Sequence, residues 1–181
     1  MKIESTLIPE VKILTPTIHK DRRGYFYESY KSGFFDQHGL PSNFVQDNQV
    51  QSKQKVIRGF HYQLAKPQGK LIRVVSGQVI DVAVDLRLGS PTFAKYVKVE
   101  LSDKNNKLLY IPEGFGHGYL VLSKESVLLY KCTNLYDPMD EYGIVWNDKT
   151  INIDWGCKRP VISKKDLNLP ILSEQKFLPK Y

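Results

Sequence analysis

The sequence predicts an all-β domain built as a sandwich or jelly roll, and three observations predict it. Apolar and polar residues alternate with period two in several short runs, turn residues separate the runs at close spacing, and no segment between them has the length of a substantial helix. Many short strands with frequent turns mark a double-sheet architecture. No internal repeat, low-complexity tract or Pro/Gly/Ser linker divides residues 1–181, so a single domain is expected, with a tail from about residue 169 attached loosely.

Taken in order, strands are expected at 25–31, 56–63, 70–75, 78–86, 97–101, 107–111, 119–122 and 127–133. The run 78–86 is the clearest, with Ile80, Val82, Val84 and Leu86 on one face and Asp81 and Asp85 on the other. Val97, Val99 and Leu101 alternate with Tyr96, Lys98 and Glu100 in the same way. Turns fall at Ser76-Gly77, Gly89-Ser90-Pro91, 103–106 and Pro112-Glu113-Gly114. Two short peripheral helices are expected. One covers 31–38, pinned by Phe34 and Phe35, and one covers 163–169, where Ser163 followed by Asp166 resembles a capping box.

Composition narrows the class. With 26 Lys+Arg against 19 Asp+Glu the formal charge is +7, which suits an anionic partner. The basic residues are scattered among apolar ones and no helix-turn-helix, RNP or zinc-finger spacing accompanies them, so nucleic acid is not the expected partner. No apolar run approaches the roughly 20 residues needed to cross a bilayer, and Met1-Lys2-Ile3-Glu4-Ser5 lacks the apolar stretch of a secretory signal. A cytoplasmic protein without membrane attachment is expected. Cys132 and Cys157 have no CxxC spacing and read as free core thiols.

Four histidines, His19, His38, His61 and His117, form no HxH pair, so metal-independent chemistry is expected and no cofactor is called for. Arg58-Gly59-Phe60-His61-Tyr62-Gln63 is the densest chemical segment, holding a fixed cation and an imidazole that titrates near neutrality. Strict alternation sends Arg58 and His61 to opposite faces, unless Gly59 marks a bulge that re-aims its neighbours. Lys70 opens a strand after a turn; it can neutralise an oxyanion in a barrel mouth, although its local sequence favours a soluble edge. Gly114, Gly116 and Gly118 around Phe115 and His117 allow close approach of a ligand or a strand. Tyr130 shares an inward face with Leu128 and Cys132.

The stretches DRRGYFYESY, FVQDNQVQSKQKVIRGFHYQ, PQGKLIRVVSGQVIDVAVDLRLGSPTF, LYIPEGFGHGYLVLS, VLLYKCTNLYDP and SKKDLNLP, in that order over nearly the whole chain, resemble the dTDP-4-dehydrorhamnose 3,5-epimerase family. The resemblance implies a metal-free double-stranded β-helix jelly roll (an RmlC-like cupin), usually a homodimer. Its substrate class is a nucleotide-diphosphate 4-keto-6-deoxy sugar of surface-polysaccharide synthesis, and protons alpha to the C4 ketone are removed and returned inverted through an enolate. His61 matches the base, Asp166 the carboxylate that orients it, Lys70 the enolate-stabilising lysine and Tyr130 the proton donor on the opposite face. Arg58 matches the diphosphate grip and Lys165 a residue near the phosphates. Arg23, Phe26 and Glu28 match a nucleotide-contacting strand partly supplied by the neighbouring subunit. Tyr136 matches an aromatic near the base, and Gln46, Asn48 and His117 match pocket-lining positions. Phe60, Gln49 and Leu135 depart from the family pattern at positions expected to reshape the pocket. Relatives that invert only one centre, or that use GDP-linked heptoses, share the pattern. A 3,4-ketoisomerase and a non-catalytic sugar-nucleotide binding module are the alternatives.

Overall fold

A computed structural model describes residues 1–181. Thirteen strands form the body: β1 Lys2–Ser5, β2 Lys12–Thr15, β3 His19–Asp21, β4 Gly24–Phe26, β5 Gln46–Lys53, β6 Ile57–Gln63, β7 Lys70–Ser76, β8 Gln78–Asp85, β9 Tyr96–Ser102, β10 Leu108–Ile111, β11 Phe115–Val121, β12 Glu125–Cys132 and β13 Glu141–Gly143. One sheet runs β1-β2-β10-β7-β12-β5 and faces a second that runs β13-β6-β11-β8-β9, with β3-β4 as a separate hairpin. All the strand pairings are antiparallel. This is the expected double-sheet jelly roll.

Three apolar layers hold it. Ile72, Val74, Leu109 and Leu128 of one sheet meet Val79, Ala83, Phe115 and Tyr119 of the other inside the roll. The back of the five-stranded sheet, with Phe60, Val82, Val84 and Leu120, is covered by Ile144, Trp155 and Leu172 from the C-terminal segment. Helix α1 (Ser32–Gln37) lays Phe35 on Leu14, Leu71 and Leu108 behind the six-stranded sheet. Both faces of β8 are therefore buried, and Asp81 and Asp85 point inward with no exposed surface.

Several expectations are corrected. The strand expected over 25–31 ends at Phe26, because residues beyond it have no partner strand in this chain. The tail is not loose: Pro170 and Phe177 accept backbone and Tyr62 hydroxyl bonds, and residues 179–181 pair with Leu88. Helix α2 is Lys164–Leu167, and Ser163 caps it by accepting from the Asp166 N–H. The reciprocal half of a capping box is missing, because the Asp166 carboxylate is turned to β6. Lys70 lies on β7, an interior strand between β10 and β12, and is 9% exposed, so the edge reading of it is wrong.

Candidate active site

The site begins with a bulge. His117 pairs with His61 and Tyr119 with Arg58, so two residues on β6 lie between pairs that enclose one residue on β11. The extra residue resets the alternation and brings Arg58 and His61, three apart, onto the face shared by His117 and Tyr119. Gly59 makes this possible. Its φ is +107°, and a Cβ there would lie 2.4 Å from the His117 carbonyl oxygen and 2.6 Å from the Gly118 Cα.

The re-aimed His61 meets a carboxylate from α2. Chain pairing of Val161 with Lys55 and Ile57, on one side of α2, and of Pro170 with Val145, on the other, seats that turn against β6. His61 Nε2 stands 2.8 Å from Asp166 Oδ1, and the Gly59 N–H donates to Asp166 Oδ2 at 3.3 Å. Burial works against an ionised Asp166, but the His61 and Gly59 donors outweigh it and hold the carboxyl below its usual range. An ionised carboxylate only accepts, so Nε2 carries the hydrogen, and in the neutral imidazole the lone pair lies on Nδ1. That arrangement can accept a proton at Nδ1.

Across the roll, on the opposing sheet, Tyr130 of β12 and Lys70 of β7 face His61. Burial pushes the Tyr130 hydroxyl up to about 12, so it is protonated at neutral pH and can donate. Burial pulls the Lys70 amine down, while Cys132, Asp81 and Glu141 act in the other direction. Lys70 has no ion-pair partner. His117 stands behind this group with Nε2 3.0 Å from both oxygens of Asp81.

Two adjoining cavities of about 290 Å³ each share His61, Lys70, Tyr130 and Glu141. One continues to Gln46, Asn48 and Tyr136, the other to Arg58, His117, Lys165 and Asp166. Arg58 is held in place with its charge unpaired. Ser52 accepts from its Nε at 3.1 Å and Tyr119 from behind holds Ser52, while no carboxylate pairs with the guanidinium. Gln46 accepts from the Tyr136 N–H at 2.7 Å and donates to Asn48, which contacts Cys132 Sγ at 3.7 Å.

Three expected residues are elsewhere in the chain. Arg23 and Phe26 are exposed on the β3-β4 hairpin, where Arg23 pairs with Asp21 at 2.5 Å. Glu28 borders a separate hollow beside Met1, His19 and Phe34. Phe60 stacks on Trp155 behind the sheet, Gln49 points outward from β5 and Leu135 is exposed, so none of these departures lines either cavity. Sequence reading missed Glu141, Ser52 and the site role of Asp81. Glu141 accepts from the Tyr136 hydroxyl at 2.7 Å and from Lys165, and burial that would raise its carboxyl is outweighed by these donors, which hold it low. Only Asp81 left a trace, as a carboxylate spaced among core residues.

The family model described as dTDP-4-dehydrorhamnose 3,5-epimerase matches residues 5–174. A dTDP-4-dehydrorhamnose 3,5-epimerase of Shigella flexneri is 49% identical over 170 residues, covering 93% of this chain and 94% of the relative. The dTDP-6-deoxy-D-glucose-3,5-epimerase of Legionella pneumophila, solved with dTDP-4-keto-L-rhamnose, superposes with a TM-score of 0.97 at 43% identity over 99% of this chain and 98% of that one. The 3'-monoepimerase ChmJ of Streptomyces bikiniensis, solved with dTDP-quinovose, superposes at 0.91 with 30% identity over 98% and 92%.

Proposed function

This chain belongs to the dTDP-4-dehydrorhamnose 3,5-epimerase family, and from that premise we propose that its cavity takes a dTDP-4-keto-6-deoxyhexose with His61 as the opening base. The reaction class is the family's: the chain is an isomerase that epimerises a nucleotide-linked 4-keto-6-deoxy sugar. One observation carries the residue assignment. His61 and Tyr130 stand on opposed sheets with the cavity between them, so a sugar ring held there meets a base on one face and an acid on the other.

His61 Nδ1 takes the proton from C3 or C5, the C–H electron pair becomes the enolate C=C, and the carbonyl pair moves to O4 beside the Lys70 ammonium. The Tyr130 hydroxyl then returns a proton to the carbon from the other face, and solvent restores both groups. Asp166 keeps the imidazole in the tautomer that can begin the cycle. Arg58 and Lys165 hold the diphosphate and Tyr136 stacks on the base, with Gln46, Asn48 and His117 completing the walls. Inversion at both centres is the reading carried here, and dTDP is favoured over GDP because the relatives above are named for dTDP sugars. The enzyme works in the cytoplasm as a homodimer serving surface-polysaccharide synthesis. The partner's hairpin supplies Arg23 and Phe26 and the segment after it Glu28, which explains why these residues stand exposed and away from the chain's own cavity.

The test is NMR in D₂O with a dTDP-4-keto-6-deoxyhexose and, separately, a GDP-4-keto-heptose. Deuterium at C3 and C5 of the first with inverted product is the expected result. Uptake at one centre makes the enzyme a monoepimerase, uptake only in the heptose overturns the choice of nucleotide, and carbonyl migration to C3 identifies a ketoisomerase.

A further inference from the structure

Glu141 is the one carboxylate that touches three of the groups assigned above. Its Oε2 accepts from the Tyr136 hydroxyl at 2.7 Å and from the Lys165 amine, while its Oε1 lies 3.9 Å from His61 Nδ1. The partners differ in freedom. The Glu141 side chain is 12% exposed and fixed on β13, whereas that of Lys165 is 58% exposed at the rim of the cavity. Lys165 is therefore the member of the pair that can leave.

From this juxtaposition, and resting on the reading of a diphosphate substrate, we infer that the Glu141 and Lys165 ion pair is a substrate-operated switch on the base. In the empty site the lysine charge offsets the carboxylate, and His61 faces a nearly neutral pair. An entering diphosphate carries negative charge past Arg58 and draws Lys165 off Glu141, since one ammonium cannot serve both anions at full strength. The uncovered carboxylate then stands alone beside the nitrogen that must take the proton, and a negative charge at that distance favours the protonated imidazole. The base is strengthened only when a substrate is in place.

The other groups facing His61 cannot act in this way. Asp166 of α2 is buried and bonded, Lys70 of β7 is buried, His117 of β11 is tied to Asp81, and Tyr130 of β12 is held in its neutral form. Arg58, on β6 itself, keeps its charge whether or not it holds phosphate.

Paired pH–rate profiles test the switch, because kcat/KM reports the free enzyme and kcat the loaded one. In the native enzyme the acid limb of kcat is expected at higher pH than that of kcat/KM. Lys165→Met uncovers Glu141 permanently, so its kcat/KM limb should rise by about one pH unit towards the kcat limb, with KM up roughly tenfold. Lys165→Arg should return the limb to its native position. Glu141→Gln should narrow the separation between the limbs. Lys165 is exposed, so the methionine variant is not confounded by folding. An unmoved kcat/KM limb in a Lys165→Met enzyme that still epimerises a dTDP-4-keto sugar overturns the switch and leaves the function standing. Absence of turnover by the native enzyme on any nucleotide-linked 4-keto sugar overturns the function and the switch with it.

Discussion

At the scale of single residues, the chemistry depends on where one hydrogen sits. The ionised Asp166 can only accept from His61 Nε2, which puts the lone pair of the neutral imidazole on Nδ1, the atom proposed as base. Replacing His61 by Asn keeps a polar side chain but removes the base, so exchange of the alpha protons with D₂O should fall by at least ~10³. Binding of dTDP, measured by calorimetry, should change only a few-fold, because Arg58, Lys165 and Tyr136 are untouched. Exchange retained in the folded variant would remove His61 from the role. Tyr130→Phe separates the two half-reactions. Proton removal survives while delivery to the other face is lost, so net inversion should fall roughly 10² further than exchange. Equal losses of both would leave Tyr130 as a packing residue. Neither effect requires more than one oxygen or nitrogen to be misplaced, and Lys70, whose local sequence suggests a solvated edge, is instead buried beside the same cavity.

At the scale of elements, the site exists because β6 carries one residue too many. Gly59→Ala puts a Cβ against the His117 carbonyl and the Gly118 Cα at a φ of +107°, so β6 and β11 must part or the bulge must move. The expected result is a loss of about 2 kcal/mol in stability, measured by urea unfolding, with kcat/KM down at least ~10² as Arg58 and His61 lose their common face. An active, equally stable variant would show that the bulge is not needed. A second element, the turn after β8, fastens the tail. Burial opposes an ionised Asp85, but bonds from Arg87, Ser90, Thr92 and the Arg87 N–H overrule it and hold the carboxyl at about 2, against 3.8 ordinarily. Arg87 in turn lies between the Phe115 and Tyr181 rings. A carboxyl depressed on folding stabilises fully above its unfolded value and loses that contribution as pH falls through the folded one. The gain of about 2 kcal/mol should thus vanish between about pH 4 and 2. The melting temperatures of native protein and Asp85→Asn should differ at pH 6 and converge near pH 2; a constant difference would assign the loss to packing.

For the molecule as a whole, legibility in the sequence tracked how local each signal is. The strands at 70–75, 78–86 and 107–111 were readable because side-chain period and turn residues are encoded within a few positions. The strands β1, β2, β5 and β13 were not, because polar runs such as Gln46–Lys53 become strands only through a distant partner, here β12. The tail is illegible for the same reason: Pro170 and Pro179 suggest an unattached chain, yet carbonyls need no N–H of their own to accept from Val145 and Leu88. Family resemblance points to the residues proposed to react, but Glu141 owes its place to the fold of β13 against β6 and has no local mark. The least local feature of all is the exposed β3-β4 hairpin, whose Arg23 and Phe26 stand away from the chain's own cavities. If the hairpin completes the partner's site, Arg23→Ala on one chain and His61→Asn on the other fall on the same site of a mixed dimer. Each hybrid then holds one site with both lesions and one with neither. Random re-pairing of the two variants in equal amounts makes half the dimers hybrid, so about a quarter of the native sites should return. Epimerase activity after mixing, followed against each variant alone, measures this directly. If activity remains at the level of the Arg23→Ala enzyme diluted by half, Arg23 serves its own chain, and the hairpin must fold back over a cavity that it does not reach in the isolated subunit.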